Sequence, residues 1–385
     1  MQLLPLPACD RTEVPRPREQ ISAAAPALAH PIPNPIQIQP RRGHLHLHAM
    51  SFGRRFIYLV VDGGCNRRRA SFAFHVHRIN ASRFFCPEQE ADVTVRDLPR
   101  PSMKFHAPSP ETDFTLLGGD MVLAADHKGR ATIYDPVSNA VRAAPALAQP
   151  KSLPAVSVSV GHHTLYVLDP LRSHDRCFES LVYNKPRADH DWHWESLPPP
   201  PYKPTSHGFV RSYAVVGDAP AVAIIWVSTN DGATYSFDTA RREWGKQGDW
   251  ALPFRGLAQY VPDYNLWFAL NDAGRLCAFD LAAATSSSSP RPRNVWPQEV
   301  KPPKGWRSLT SFLVYLGSGR FCVARFFWKE VEIPGGYDME KETKTQAVFT
   351  GVEVQPFGKA GRGLRIVKHT SECYRLDDVL QQWVL

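Results

Sequence analysis

Histidine and aspartate side chains, the residue types that bind metals and transfer protons, are concentrated in a few short stretches of this sequence. The densest stretch is DHDWHW at residues 189–194, where two histidines and two aspartates stand beside tryptophans. Such a stretch can supply metal ligands or an acid–base pair. It follows a strand that ends at Asn184, so we interpret it as the entry to the next strand, with Trp192 and Trp194 as packing residues.

Three other histidine groups have simpler interpretations. HLHLH at 44–48 has no carboxylate or thiol beside it, which indicates an incidental cluster rather than a metal site. His75 and His77 alternate with apolar residues and are expected on the polar face of a strand. His162 and His163 precede another strand, so we expect one ring to face solvent and the other to pack.

The glycine-rich stretch GKAGRG at 358–363 contains a lysine but lacks the order of residues in a phosphate-binding loop, which indicates a hairpin turn. Paired carboxylates of the glycosidase type cannot be recognised without spatial information. The sequence therefore predicts no catalytic residue, no metal site and no cofactor.

The composition is that of a water-soluble protein with many chain reversals. The 385 residues include 35 prolines and 24 glycines, and 43% are hydrophobic. The apolar run AVAIIWV at 221–227 is far shorter than the roughly 20 residues that cross a bilayer. The net charge of +8 is thinly spread, and Arg67–Arg69 is interpreted as a hairpin tip. We therefore expect neither a membrane nor a nucleic acid as partner.

The seven cysteines are scattered, and no two are spaced C-x-x-C. This pattern argues against a disulfide framework and against a zinc module. It predicts reduced thiols and therefore a cytoplasmic or nuclear location.

The first 49 residues differ from the rest of the chain. They contain nine prolines and no stretch with sustained strand or helix periodicity. A segment of this composition buries too little apolar surface to offset the entropy of ordering. We predict a disordered extension at 1–49 and a folded domain at 50–385.

A repeated pattern organises the folded domain. An apolar residue followed by Asp or Asn ends a strand at intervals of 42 to 55 residues, within the range of propeller repeats. The five positions are Asn80, Asp135, Asn184, Asp238 and Asp280.

Each repeat continues with a polar turn, a bulky residue and a proline-rich exit. The bulky residues include Trp192 with Trp194, then Trp244, and then Trp296. A short Asp or Asn side chain accepts backbone hydrogen bonds and fixes the turn, whereas tryptophan packs between neighbouring sheets. We predict these residues to be structural. Trp244, Trp296 and either Trp192 or Trp194 are expected to be largely buried.

Five clear repeats and a divergent sixth predict an all-β fold, a six-bladed kelch-like β-propeller over 50–385. Charged or polar insertions at 335–344 and 285–293 are expected as poorly ordered hairpin tips. The apolar C-terminus predicts that the chain ends pair in the same or adjacent blades, with Trp383 on the first blade. The alternative is a short helix over 377–383.

A family resemblance is carried by an ordered set of landmarks, which are RRFIYLVVDGG, LPRPSMKF, SVSVGHHTLYVLD, WHWESLPPPP, YVPDYNLWFAL, TGVEV and the terminal YRLDDVLQQWVL. The sequence resembles a grass-expanded plant family catalogued as domain of unknown function 1668. The resemblance spans nearly all of 50–385. It implies a plant origin and a kelch-like propeller fold, and it supplies no catalytic residues.

Two functions of different class follow from these observations. The first is a non-catalytic, monomeric protein-interaction module whose protein partner the sequence does not identify. The second is a kelch-like propeller enzyme, either carbohydrate-active or a copper oxidase, with His and Tyr ligands converging on the channel. The first is favoured because no such set of ligands is visible.

Overall fold

The structure, a computed structural model, describes residues 53–66, 71–85, 94–172, 175–183, 191–203, 209–217, 223–297, 301–334, 339–358, 363–376, 379 and 381–385. The predicted disorder of 1–49 and the predicted turn residue Asn184 lie outside these residues. The chain divides after Ala49, and all that follows concerns the unit from Met50 to Leu385.

The predicted all-β class is confirmed, since regular structure in the described residues consists of strands and short 3-10 turns. No helix within the described ranges is long and apolar enough to cross a membrane. The strands of the first half are β1 (Phe56–Asn66), β2 (Ser71–Asn80), β3 (Val95–Arg96), β4 (Met103–Ala107), β5 (Thr112–Leu117), β6 (Met121–Asp126), β7 (Ala131–Asp135), β8 (Ala140–Ala144), β9 (Val156–Val160), β10 (Thr164–Leu168), β11 (Phe178–Tyr183) and β12 (Trp192–Ser196).

The second half continues the pattern with longer strands near its end. These strands are β13 (Val210–Val216), β14 (Ile224–Thr229), β15 (Thr234–Asp238), β16 (Glu243–Gly248), β17 (Arg255–Val261), β18 (Leu266–Leu270), β19 (Leu276–Phe279), β20 (Pro292–Val295), β21 (Arg307–Gly317), β22 (Arg320–Pro334), β23 (Met339–Phe357), β24 (Gly363–Arg375) and β25 (Gln382–Val384).

The strands pair into four-stranded antiparallel units, numbered here along the chain. Unit 1 contains β25, β1, β2 and β4 in that order, and units 2 to 6 contain β5–β8, β9–β12, β13–β16, β17–β20 and β21–β24. Units 4 and 5 are joined by parallel pairs between β13 and β17, and β3 adds a fifth strand to unit 6.

Antiparallel order gives each unit two different edges. The turns from first to second and from third to fourth strand lie at one end of the strands, here called the turn edge. The turns from second to third strand and the connections between units lie at the opposite edge, called the connection edge. Every Asp or Asn of the predicted repeat that is described follows the third strand of its unit, and therefore lies at the turn edge.

The apolar core lies between the units. Strand β18 is buried at all five positions, because both of its faces pack against neighbouring sheets. Ring pairs join units 1 and 2 (Phe74–Phe114, 5.2 Å), 3 and 4 (Phe178–Phe237, 4.8 Å) and 5 and 6 (Phe268–Phe321, 5.2 Å). Further apolar clusters join units 2 and 3, 4 and 5, and 6 and 1.

The two ends of the described domain meet in unit 1, as predicted. Strand β25 pairs antiparallel with β1, with Val60 opposite Trp383. The Trp383 ring packs edge-on against Phe74 (6.0 Å) in its own unit and against Phe114 (5.0 Å) in unit 2. The C-terminal residues therefore complete the first sheet, and the predicted alternative of a helix does not apply to the strand at 382–384.

The two predicted insertions are more ordered than expected. In unit 6, β22 and β23 remain paired as far as Pro334 and Met339, so most of 335–344 is strand, and 335–338 lies outside the described residues. In unit 5, Thr285 and Ser288 exchange backbone hydrogen bonds (3.1 and 3.2 Å), and Pro292 begins β20. The prediction of poor order was wrong for 339–344 and 285–293, because backbone pairing continues through this polar sequence.

Truncation after Leu376 should abolish cooperative unfolding and lower solubility, because β1 would lose its partner strand and expose an open edge. The check is thermal unfolding followed by circular dichroism and light scattering. Leu385→Ala is the control, since it keeps the backbone pairs of β25 and should unfold nearly as the parent does. A truncated protein that stays soluble and unfolds as sharply as the parent would contradict this role of β25.

Candidate functional site

The turn residues of the repeat accept hydrogen bonds from groups of their own turns. The Asp135 carboxylate accepts hydrogen bonds from the N–H of Val137 (2.8 Å) and from the Ser138 hydroxyl (2.6 Å). The Ser138 bond is the main reason why the pKa of Asp135 is lowered. Asp238 accepts from the N–H groups two and three residues further on, both at 2.9 Å.

Asn80 and Asp280 hold the starts of 3-10 turns at the same edge. The Asn80 side-chain oxygen accepts from the N–H (3.0 Å) and the hydroxyl (2.9 Å) of Ser82. Asp280 accepts from the N–H of Ala283 (3.2 Å) and pairs with Arg293 at 2.8 Å. In all four described positions the polar atoms stabilise a turn.

A second set of turn residues, at the connection edge, was missed by the sequence analysis. Asp126 accepts from the backbone N–H groups two (2.9 Å) and four (3.0 Å) residues further on, and Asn271 accepts from its equivalents, both at 3.0 Å. Gly129 and Gly274 follow at positive φ angles of 78° and 69°. The shared pattern Asp/Asn-x-x-Gly-Arg, at 126–130 and 271–275, is the signal that identifies them.

The predicted burial is correct for Trp296 and, of the pair Trp192 and Trp194, is met by Trp192. Trp192 and Trp296 are 5% and 8% exposed, and Trp296 stacks on Phe268 at 6.1 Å. Trp194 and Trp244 are only half-buried, so the prediction was wrong for Trp244.

The reason for this partial exposure is a polar contact between units. The indole N–H of Trp194 donates to the Pro145 carbonyl, and that of Trp244 donates to the Pro198 carbonyl, both at 2.8 Å. Both carbonyls belong to the proline-rich exit of the preceding unit. An indole must lie at the edge of the core to reach such a carbonyl, so part of its ring stays in water.

The histidine predictions need two corrections. His162 and His163 are both exposed because they lie in the turn between β9 and β10, where neither ring has a core to enter. His77 is only 5% exposed, and its Nδ1 lies 2.6 Å from the Pro99 carbonyl, because the segment after β2 folds over that face.

A groove of about 500 Å³ opens between units 2 and 3 at the turn edge. Ile133 and Trp192 form its buried floor. The Tyr183 ring lies 5.2 Å from Trp192 and 5.7 Å from His163, so three aromatic rings follow one wall. Arg142 lies on the opposite wall, on β8. The groove has the volume and the aromatic lining of a ligand-binding cleft.

A buried carboxylate joins three units near the connection edge. Asp113 of unit 2 accepts hydrogen bonds from the indole of Trp383 in unit 1 (2.7 Å) and from its neighbour Phe114 N–H (3.0 Å). It also accepts from the N–H of Ala155, at the start of unit 3 (2.8 Å). Burial raises the pKa of Asp113 more than these three donors lower it. The residue therefore fastens units together rather than binding a ligand.

A buried ion pair lies close by, in the connection between units 2 and 3. Lys151 Nζ is 3.2 Å from the Glu179 carboxylate, and both side chains are almost inaccessible. The ammonium group also donates to the carbonyls of Gln149 (2.5 Å) and Arg176 (3.2 Å). Burial lowers the pKa of Lys151 and raises that of Glu179. The adjoining cavity of about 30 Å³ is too small for more than a water molecule.

The thiols of two cysteines have a packing role. Cys177 and Cys277 are buried free thiols, and burial raises the pKa of each to about 11, so both stay protonated at neutral pH. Among the described residues, no three His, Cys, Asp or Glu side chains lie close enough together to share a metal ion.

Where the structure describes them, the landmark sequences lie on the strands and turns of these units. The family model described as "Protein of unknown function (DUF1668)" matches residues 54–374. The chain belongs to the DUF1668 family. The family resemblance expected from the sequence is thereby confirmed, whereas plant origin and kelch character remain predictions.

Solved structures similar to this DUF1668 chain include two proteins at 12% identity. The β-propeller domain of Cps50 (Swd1) from Myceliophteria thermophila has a TM-score of 0.36, with 83% of this chain and 97% of that chain covered. The N-terminal domain of Nup159 has a TM-score of 0.30, with 80% and 74% covered. A search of curated proteins finds no match.

Trp244→Ala should lower the free energy of unfolding of the DUF1668 domain by about 2–3 kcal/mol, less than emptying a fully buried tryptophan site. Trp244→Phe keeps the contacts with Phe178 and Phe237 but loses the bond to Pro198, and should cost about 1 kcal/mol. Urea unfolding of both variants measures the difference. Equal losses would show that the hydrogen bond, and not the ring packing, is what matters.

Asp113→Asn should change how stability depends on pH. Since the folded-state pKa of Asp113 is raised, its contribution to stability is full below the ordinary pKa of 3.8 and declines as the pH rises through the folded value. The melting temperature of the variant, relative to the wild type, should therefore rise as the pH is increased from about 4. Thr115→Val, in the same cavity, cannot titrate and should give a constant difference. A pH-independent difference for Asp113→Asn would contradict the raised pKa.

Proposed function

We propose that residues 53–385 form a closed, six-bladed, kelch-like β-propeller that binds a protein partner. Six four-stranded units support the number of blades. The apolar clusters support closure, because they join each unit to the next and unit 6 to unit 1. Strand β25 supports it as well, since a strand contributed by the far end of the chain is a means of closing such a ring.

The observation that carries the function is a group of exposed apolar side chains at the connection edge. Leu153, Leu171 and Phe209 are 38%, 46% and 39% exposed, and they lie in the connections and turns of units 2 to 4. Apolar side chains scattered singly need no explanation, whereas a group on adjoining segments indicates a contact surface.

The three segments that carry these side chains adjoin one another. The N–H of Val210, next to Phe209, donates to the carbonyl of Pro170, next to Leu171, at 3.1 Å. Lys151 ties the Leu153 segment to the same turn of unit 3 through the Arg176 carbonyl. These bonds hold the apolar group in a fixed arrangement, which lowers the entropy lost on binding.

Arginine lies beside this apolar group on the first strands of units 4 and 5. Arg211 and Arg255 both pair with Asp272, at 2.8 and 2.6 Å. An apolar centre with a polar, arginine-containing rim is typical of protein interfaces. The partner is therefore a protein with an apolar patch rather than a nucleic acid, and the module itself acts as a cytoplasmic or nuclear monomer.

The experiment compares affinity capture from cell extract by the wild type and by the double variant Leu171→Asp, Phe209→Asp. Capture of a discrete partner should be lost in the double variant while its melting temperature is kept. Phe357→Asp is the matched control, because Phe357 is 59% exposed at the turn edge. Equal capture by the wild type and the double variant, or equal loss in the control, would overturn the proposed surface.

A further inference from the structure

The groove between units 2 and 3 is open at its mouth because a small residue, Ala140, lies on one of its walls. Strand β8 reads AVRAA, and Ala140 and Arg142 lie on the face that lines the groove. Ala140 stands opposite Asp135 in the β7–β8 ladder, where unit 4 has Glu243 opposite Asp238. The alanine removes side-chain volume from the mouth of the groove and leaves the aromatic wall uncovered.

The interior of the groove is apolar. Ile133 and Trp192 close it below, and Met121 lines it from β6. Tyr183 and His163 present ring faces and edges along unit 3. Such a surface takes an aliphatic side chain, because it offers contact area without unpaired polar groups.

Among the described residues that line the groove, Arg142 is the cation. Arg142 is 46% exposed, with a partner, Asp191, at 3.5 Å on the rim. His162 and His163 are exposed beside it. His162 donates its Nδ1–H to the Gly118 carbonyl at 3.1 Å, so its free Nε2 is an acceptor. The carboxylate of Asp135 is turned inward onto its own loop by its bonds to Val137 and Ser138. An acidic group of a ligand can therefore pair with Arg142 in place of Asp191.

We propose that this groove binds an extended peptide segment of the protein partner, in which an acidic side chain pairs with Arg142 and a nearby aliphatic side chain fills the space over Ile133. The inference rests on the proposed protein-binding function and adds a second contact, at the opposite edge from Leu171 and Phe209. A volume of about 500 Å³ is within the range of pockets that bury small ligands or a few side chains.

The test uses three pools of fluorescein-labelled octapeptides and measures fluorescence anisotropy with the full chain. One pool fixes Glu and Leu two positions apart and is mixed elsewhere. The second pool has Lys in place of Glu, and the third has Ser in place of Leu. The wild type should bind the Glu–Leu pool more tightly than either of the other two.

Two variants place the binding in the groove. Ala140→Trp blocks the mouth and should weaken binding about ten-fold, since tryptophan is well tolerated on an exposed strand. Arg142→Met removes the cation and should weaken binding about three-fold, the scale of an exposed ion pair. Arg241→Met is the control, an exposed arginine at the turn edge of unit 4, and should bind as the wild type does.

Equal binding of the three pools, or unchanged binding in both groove variants, would overturn the inference. Its failure is distinguishable from that of the proposed function, because capture of the partner through Leu171 and Phe209 is measured separately. If the Leu171, Phe209 variant loses partner capture but the wild type shows no preference among the peptide pools, the proposed function is supported and only the groove inference is contradicted.

Discussion

Packing between the faces of adjacent sheets is the interaction on which the rest of this structure depends. A four-stranded unit such as unit 5 has apolar side chains on both faces of its central strand β18, so it cannot be stable alone. Each unit needs a neighbour on either side. An apolar cluster between units 6 and 1 meets that need where the chain ends meet, and Asp113 of unit 2 binds Trp383 of unit 1.

Hydrogen bonds inside the units and at their two edges are made by different groups. Inside the units, hydrogen bonds are made by the backbone ladders, and at both edges short Asp and Asn side chains satisfy the turns. Because those turns are held locally, residues beside them, such as Phe209 or Arg142, can change without disturbing the core. Both proposed contact surfaces lie at such edges.

The carboxylates and histidines that first suggest chemistry have mostly structural roles here. Asp135 and Asp238 hold turns, and His77 contacts a backbone carbonyl under a covering segment. Their polar atoms are bonded to nearby backbone groups. A catalytic residue would need to keep such atoms available for a substrate. The exposed His162 and His163 differ, since they lie in a turn that borders a groove.

The sequence by itself determined the all-β class, the family and the meeting of the chain ends, because these follow from local alternation, turn residues and apolar termini. It also located the turn residues of the turn edge, since each of those Asp and Asn side chains accepts from a backbone N–H two or three residues further on. Only the tertiary structure decided which tryptophans are buried. Trp192 and Trp244 occupy similar positions in the sequence repeat, but Trp244 stays half-buried because its indole donates to a carbonyl of the preceding unit. The groove, likewise, arises where Ala140 of one unit faces Tyr183 of the next, a distance that no local pattern encodes.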